Sequence, residues 1–276
     1  MSEQQPAGRS DDEKPPEPHQ IFQRTREEGA RRLERSPLEI GSTSLVAGFD
    51  VVFGIVALAT ITAALTPRFG EDAGHLFGAL GFGIAFIFIV VGRSELFTEN
   101  FLLPVTALRR GTITKVRLAR LWLISPVFNI VGGVALVLIV TIEGVLPDGA
   151  GEAMVTIAED ADQSTLPAAF ASAIVAGALI TVMTWLVEGV GSIGGRMICA
   201  WIGGALLTLG AFNHVIVVTL EIIFGMRFGA DVGGLDVAQN FAVAAAGNLI
   251  GGLLFVTLTR TGQAIGSSEG HGPTDD

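Results

Sequence analysis

The sequence runs to 276 residues, half of them apolar and only 16% charged, with 36 glycines, no tyrosine and a mean hydropathy of +0.58. That balance is far greasier than an ordinary soluble domain and predicts a membrane class. The formal charge of −10 gathers in the two tails and a few loops and identifies no cationic partner, no nucleic-acid partner is expected, and the single cysteine, Cys199, excludes an intrachain disulfide.

Residues 1–18 are rich in Pro, Glu, Asp and Gln, which predicts a disordered tail without a cleavable leader. Residues 19–38 carry Glu27/Arg31 and Glu28/Arg32 at i,i+4 spacing and read as a surface helix entering the bilayer. Six apolar segments follow within a spanning domain at 39–262: about 39–65, 74–97, 117–141, 167–187, 196–224 and 240–260. Each suffices for a hydrocarbon layer of about 30 Å. Residues 263–276 read as a second disordered tail. Twelve Lys and Arg residues fall near span ends on one side and only Arg68 and Arg227 on the other, which places both termini in the cytoplasm.

Two segments are interrupted by polar residues, at Ser94–Asn100 and at Gly210–His214. The third and sixth share a signature, Asn129-Ile130-Val131-Gly132-Gly133 against Asn248-Leu249-Ile250-Gly251-Gly252. With three spans per half, a duplicated second half must enter upside down, so the fold is an all-α 3+3 inverted repeat with broken helices 2 and 5. The two asparagines read as helix-packing residues. Unwound backbone survives at membrane depth only inside protein or beside water, so the breaks are the candidate pore lining. His214 is the one histidine within a span, and an ionisable group there predicts a pore role. Asp50, Arg93 and Glu95 are further intramembrane charges; Asp50 and Arg93 are expected to neutralise each other or to pair with Glu95, Glu99 or Glu188.

Glu95-Leu96-Phe97-Thr98-Glu99-Asn100 resembles the Leu-Phe-Thr motif of the formate/nitrite transporter family, and Phe212-Asn213-His214 resembles the Phe-Glu-His motif of its fifth span. The resemblance covers about residues 36–260. It implies an aquaporin-like homopentamer in a bacterial inner membrane, with a pore in each protomer and a central histidine facing a threonine, here His214 and Thr98. It also implies hydrophobic constrictions at Phe82 and Leu207, with Phe97, Glu99 and Asn213 beside the central pair. The expected solute is a small weak-acid anion, with no cofactor or metal. The chain is similar to a divergent member: Asn213 and Glu99 stand where the family has Glu and Gly, and Ala161 falls at its vestibule lysine. No Lys or Arg occurs between Leu121 and Gly195, whereas the outer loop carries Glu152, Glu159, Asp160 and Asp162, a field favouring cations.

Gly189-Val190-Gly191-Ser192-Ile193-Gly194 matches a dinucleotide fingerprint but follows a span, not a strand, and reads as a turn. His-x-x-x-His, Cys-x-x-Cys and Gly-x-Ser-x-Gly are absent, so no enzyme is expected. Conduction of a cation or neutral solute by the same fold, and a nonconducting structural or regulatory role, are the alternatives.

Overall fold

The computed structural model describes residues 15–108 and 112–269, and within them every regular element is helical. The expected tail at 1–14, Arg109 and Arg110, and residues 270–276 lie outside the described residues. In chain order the elements are α1 (Pro18–Glu34), α2 (Pro37–Phe69), α3 (Glu71–Phe82), α4 (Ile84–Gly92), a 3-10 turn (Phe97–Phe101), α5 (Leu103–Thr106) and α6 (Thr112–Val140). Next come α7 (Ala150–Asp162), α8 (Leu166–Gly189), α9 (Ile193–Leu209), α10 (Val215–Arg227), α11 (Gly234–Ile250), a π turn (Gly251–Thr257) and α12 (Leu258–Glu269).

Among the described residues five stretches are long and apolar enough to cross a membrane: α2, α3 with α4, most of α6, α8, and α11 through α12. The sixth is split into α9 and α10 by Gly210–His214. The breaks fall where the polar residues interrupt the apolar runs. Each begins at a non-glycine residue in the left-handed region, Arg93 at φ 58° and Ala211 at φ 47°, at a cost of about 1 kcal/mol each. Such strain persists only where the surroundings over-determine it.

The two asparagines supply that determination. Asn129 on α6 accepts from Phe97 N at 2.9 Å and donates to Ser44 O of α2 and Glu95 O at 2.7 and 2.9 Å. Asn248 on α11 accepts from Val215 N at 2.9 Å and donates to Ala173 O of α8 and Asn213 O at 2.8 and 2.9 Å. The packing-residue reading therefore understates them. Each carboxamide fastens the break of its own half to the first helix of that half, satisfying backbone groups that lipid cannot. Matched contacts extend beyond the asparagines: Gly132 abuts Leu45 O as Gly251 abuts Ile174 O. The correspondence pairs 44 with 173, 95 with 213 and 129 with 248, which is the inverted repeat written in hydrogen bonds.

Close approach at these crossings requires glycine. A Cβ at Gly48 would sit 2.1 Å from Asn129 O, and one at Gly177 the same distance from Asn248 O. Gly177→Ala is expected to force α8 from α11 and cost about 1–3 kcal/mol. A melting curve of the purified variant superimposable on wild type would refute the tight-crossing argument.

Several details depart from expectation. The acidic loop contains α7, whose Ala150, Met154 and Ala158 are buried on one face, with Gly225 of α10 against Met154 and Ala158. Helix α12 continues through Glu269, past the boundary expected at 262; Ala264 is buried and Arg260 stacks over Trp185 with its guanidinium carbon 5.3 Å from the ring centroid. Helix α1 is more than a surface helix, since Thr25, Glu28, Gly29, Arg32 and Leu33 are buried. Arg31 reaches Glu28 at i,i+3, and Glu28 bonds Arg32 at 3.5 Å in the expected i,i+4 register. Cys199 is a free thiol and half-buried.

Candidate functional site

The second break ends where His214 caps α10, its Nδ1 accepting from Val217 N at 3.3 Å. With Nδ1 an acceptor, Nε2 carries the ring proton and donates to Thr98 Oγ1 at 2.8 Å. Both side chains are fully buried. One hydrogen bond thus joins the tips of the two breaks in the middle of the bundle, across 116 residues of sequence.

Aromatic rings lie on one side of this pair. Phe86 meets the His214 imidazole edge-on, with centroids 6.5 Å apart, and Phe82 meets Phe86 at 6.2 Å. Phe82 and Leu207 are both buried, and Leu207 lines the chamber described below. The sequence singled out Phe82 and missed Phe86, which stands one helical turn later and is the ring in contact with the histidine. Phe97 packs edge-on against Phe101 at 5.0 Å.

On the α7 side of the pair lies a chamber of about 530 Å³. It is formed by the ends of α2 and α3, by α7, by the second break and by α10, and its lining includes Leu207, Phe212, Asn213 and Val217. Ala161 lines it too. Among the described residues the charged lining is Glu71, Glu152, Asp160 and Glu221, with His75 the one basic side chain and no Lys or Arg. Asn213 is held by Ser172 Oγ at its backbone N, 3.0 Å, and donates to Asn240 Oδ1 at 2.8 Å. Glu221 escaped the sequence reading because it sits in the apolar run Val215–Met226; its spacing of seven from His214, two helical turns on, is the signal that would have found it.

The other singled-out residues face α1. Glu95 is fully buried, accepts from Asn100 Nδ2 at 3.0 Å and pairs with Arg35. Glu99 pairs with Arg32 Nη2 at 3.1 Å, and Arg32 Nη1 donates to Asn100 Oδ1 at 3.2 Å. Burial alone would lower the pKa of Arg32, but Glu99, Glu95 and Glu28 outweigh it and raise it, so the guanidinium stays charged. Asp50 accepts from Ser94 Oγ at 2.6 Å. Arg93 is not an interior charge: it ends α4 with its side chain 60% exposed and reaches Glu28 Oε2 at 3.4 Å. Asp50 and Arg93 therefore have separate partners, because the left-handed turn at Arg93 directs it toward α1.

A family model described as formate/nitrite transporter matches residues 19–261. The inner membrane protein YfdC of Escherichia coli (strain K12) is 27% identical over 86% of this chain and 76% of its own. The formate channel FocA of the same strain is 25% identical over 84% and 89%. A solved structure titled as a pentameric formate channel with formate bound superposes with a TM-score of 0.68 at 21% identity, covering 81% of this chain and 95% of that one. With the breaks, spans and matched residues in the order already described, the chain belongs to the formate/nitrite transporter family of membrane transport proteins.

Proposed function

We propose that the protein is a passive or proton-linked channel for a small monovalent weak acid of the formate, nitrite or hydrosulfide type, which passes between His214 and Thr98. The observation that carries this reading is the 2.8 Å hydrogen bond between those side chains at the junction of the two breaks. A bare anion loses its hydration in a buried apolar passage at a large cost, which a proton removes. The His214 Nε2–H and the Thr98 hydroxyl can each donate to an anion, and the hydroxyl can also accept from its neutral acid. The amino end of α10 adds the positive end of its dipole beside them. Formate enters as a candidate because FocA and the solved pentamer carry that name.

The protein works as a homopentamer with one path per protomer, in an inner membrane with both termini cytoplasmic, so that the α7-side chamber opens outward. Exposed apolar side chains along α6, including Leu123, Val127, Val131 and Leu138, suit contact with lipid or a neighbouring protomer. Residues Asn213, Leu207 and Phe82 border the path, whereas Glu95 and Glu99 anchor its first break. The acidic chamber favours a second reading, conduction of a cation or neutral solute through the same path.

Proteoliposomes carrying wild-type protein should show pH-dependent formate flux, reduced about 100-fold or more in His214→Ala, the range expected of a positioned acid–base group. The sign of the reversal potential in a salt gradient separates anion from cation conduction. Wild-type flux no greater than that of empty vesicles for formate, nitrite, hydrosulfide, ammonium and alkali cations would eliminate transport and leave the nonconducting role.

A further inference from the structure

Within the chamber, one carboxylate differs from the rest. Glu221 lies seven residues beyond His214 on α10, about 10 Å further along the helix axis and on nearly the same face. It is only 7% exposed and lines the chamber. Among the described residues no hydrogen bond or ion pair engages it.

A buried, unpaired carboxylate is costly. Glu71 on α3, with Glu152 and Asp160 on α7, adds negative potential that concentrates cations and repels anions. One deeply buried carboxylate balances a single positive charge. A divalent ion would ask for more carboxylates close together.

We propose that the α7-side chamber is a binding site for a small monovalent cation of the ammonium or alkali class, with Glu221 as its counter-charge and Glu71, Glu152 and Asp160 drawing the cation in. The site goes beyond the weak-acid reading and stands apart from it, since binding requires no passage between His214 and Thr98. An occupied site would offset the charge of Glu221 and lower the barrier that this carboxylate sets against an approaching anion.

The test is isothermal titration of the full chain in lipid nanodiscs with ammonium, sodium, potassium and rubidium chlorides, choline chloride holding ionic strength constant. At least one cation should bind saturably at a single site per chain. Glu221→Gln should weaken it at least about tenfold, as removing the charged partner does, while Glu39→Gln, at the α1 end, leaves it unchanged. Asp160→Asn removes one charge of the surrounding field and should weaken binding by about threefold; it decides the matter should Glu221→Gln not fold. Absence of saturable heat for all four salts, or wild-type affinity in the folded variants, overturns the proposal. Formate flux on the same preparations keeps the two ideas separate: binding without flux counts against the weak-acid reading alone, and flux without binding against the cation site alone.

Discussion

Asn248→Ala is expected to destabilise the protein by roughly 2–6 kcal/mol, because it strips the partners from two buried backbone groups, each costing about 1–3 kcal/mol when left unsatisfied. Those groups are Val215 N and Asn213 O, whereas Ala173 O lies inside α8 and keeps its helical bond. Asn129→Ala should behave alike through Phe97 N and Glu95 O, with Ser44 O inside α2. Water cannot readily replace the lost amide, since both asparagines are fully buried. Asn248→Asp keeps the acceptor for Val215 N but loses both donations and adds a charge, so it should not rescue. Thermal unfolding in detergent measures the loss, and amide exchange at residues 213–215 should accelerate in the same variant. A stable Asn248→Ala protein with unchanged exchange would show that the break is held by something else.

Arg32→Ala should cost about 3–5 kcal/mol, the usual effect of removing one member of a buried ion pair. Its guanidinium meets Glu99 Oε2 at 3.1 Å and Asn100 Oδ1 at 3.2 Å, with both ionic side chains under one-tenth exposed. Without it Glu99 remains charged and buried beside Glu95, or must take up a proton. The double variant Arg32→Met/Glu99→Gln should recover most of the lost stability, because neither unpaired charge survives. The four melting temperatures of the cycle formed by wild type, Arg32→Met, Glu99→Gln and the double variant decide the point: strictly additive effects would mean that the pair is not coupled.

Much of this architecture was legible in sequence because lipid imposes simple rules. Apolar runs of membrane length located the spans, and polar residues inside two of them located the breaks. The repeated Asn-x-x-Gly-Gly exposed the duplication, although its mechanical role needed coordinates: the carboxamide of Asn129 works on Phe97, 32 positions away. Helix α7 was hidden by its charges. Its apolar face, Ala150, Met154 and Ala158, has helical spacing, but the acidic residues between these positions read as loop. Arg93 looked intramembrane because it directly follows an apolar run, and only the left-handed turn shows that it leaves the bundle. Arg32 passed as a surface-helix charge since its partners lie 67 and 68 residues on. Glu221 was overlooked for the opposite reason, being a lone acid surrounded by aliphatic neighbours.

The bonds to Glu95 O and Phe97 N bracket Leu96 just as those to Asn213 O and Val215 N bracket His214. An aliphatic side chain and an imidazole therefore occupy equivalent seats in the two halves. After duplication the fastener could be kept in both copies while the seated residue diverged in either. Chemical novelty at the centre of such a molecule then requires changing one side chain on an unaltered mount, and the natural place to engineer a second functional group is Leu96.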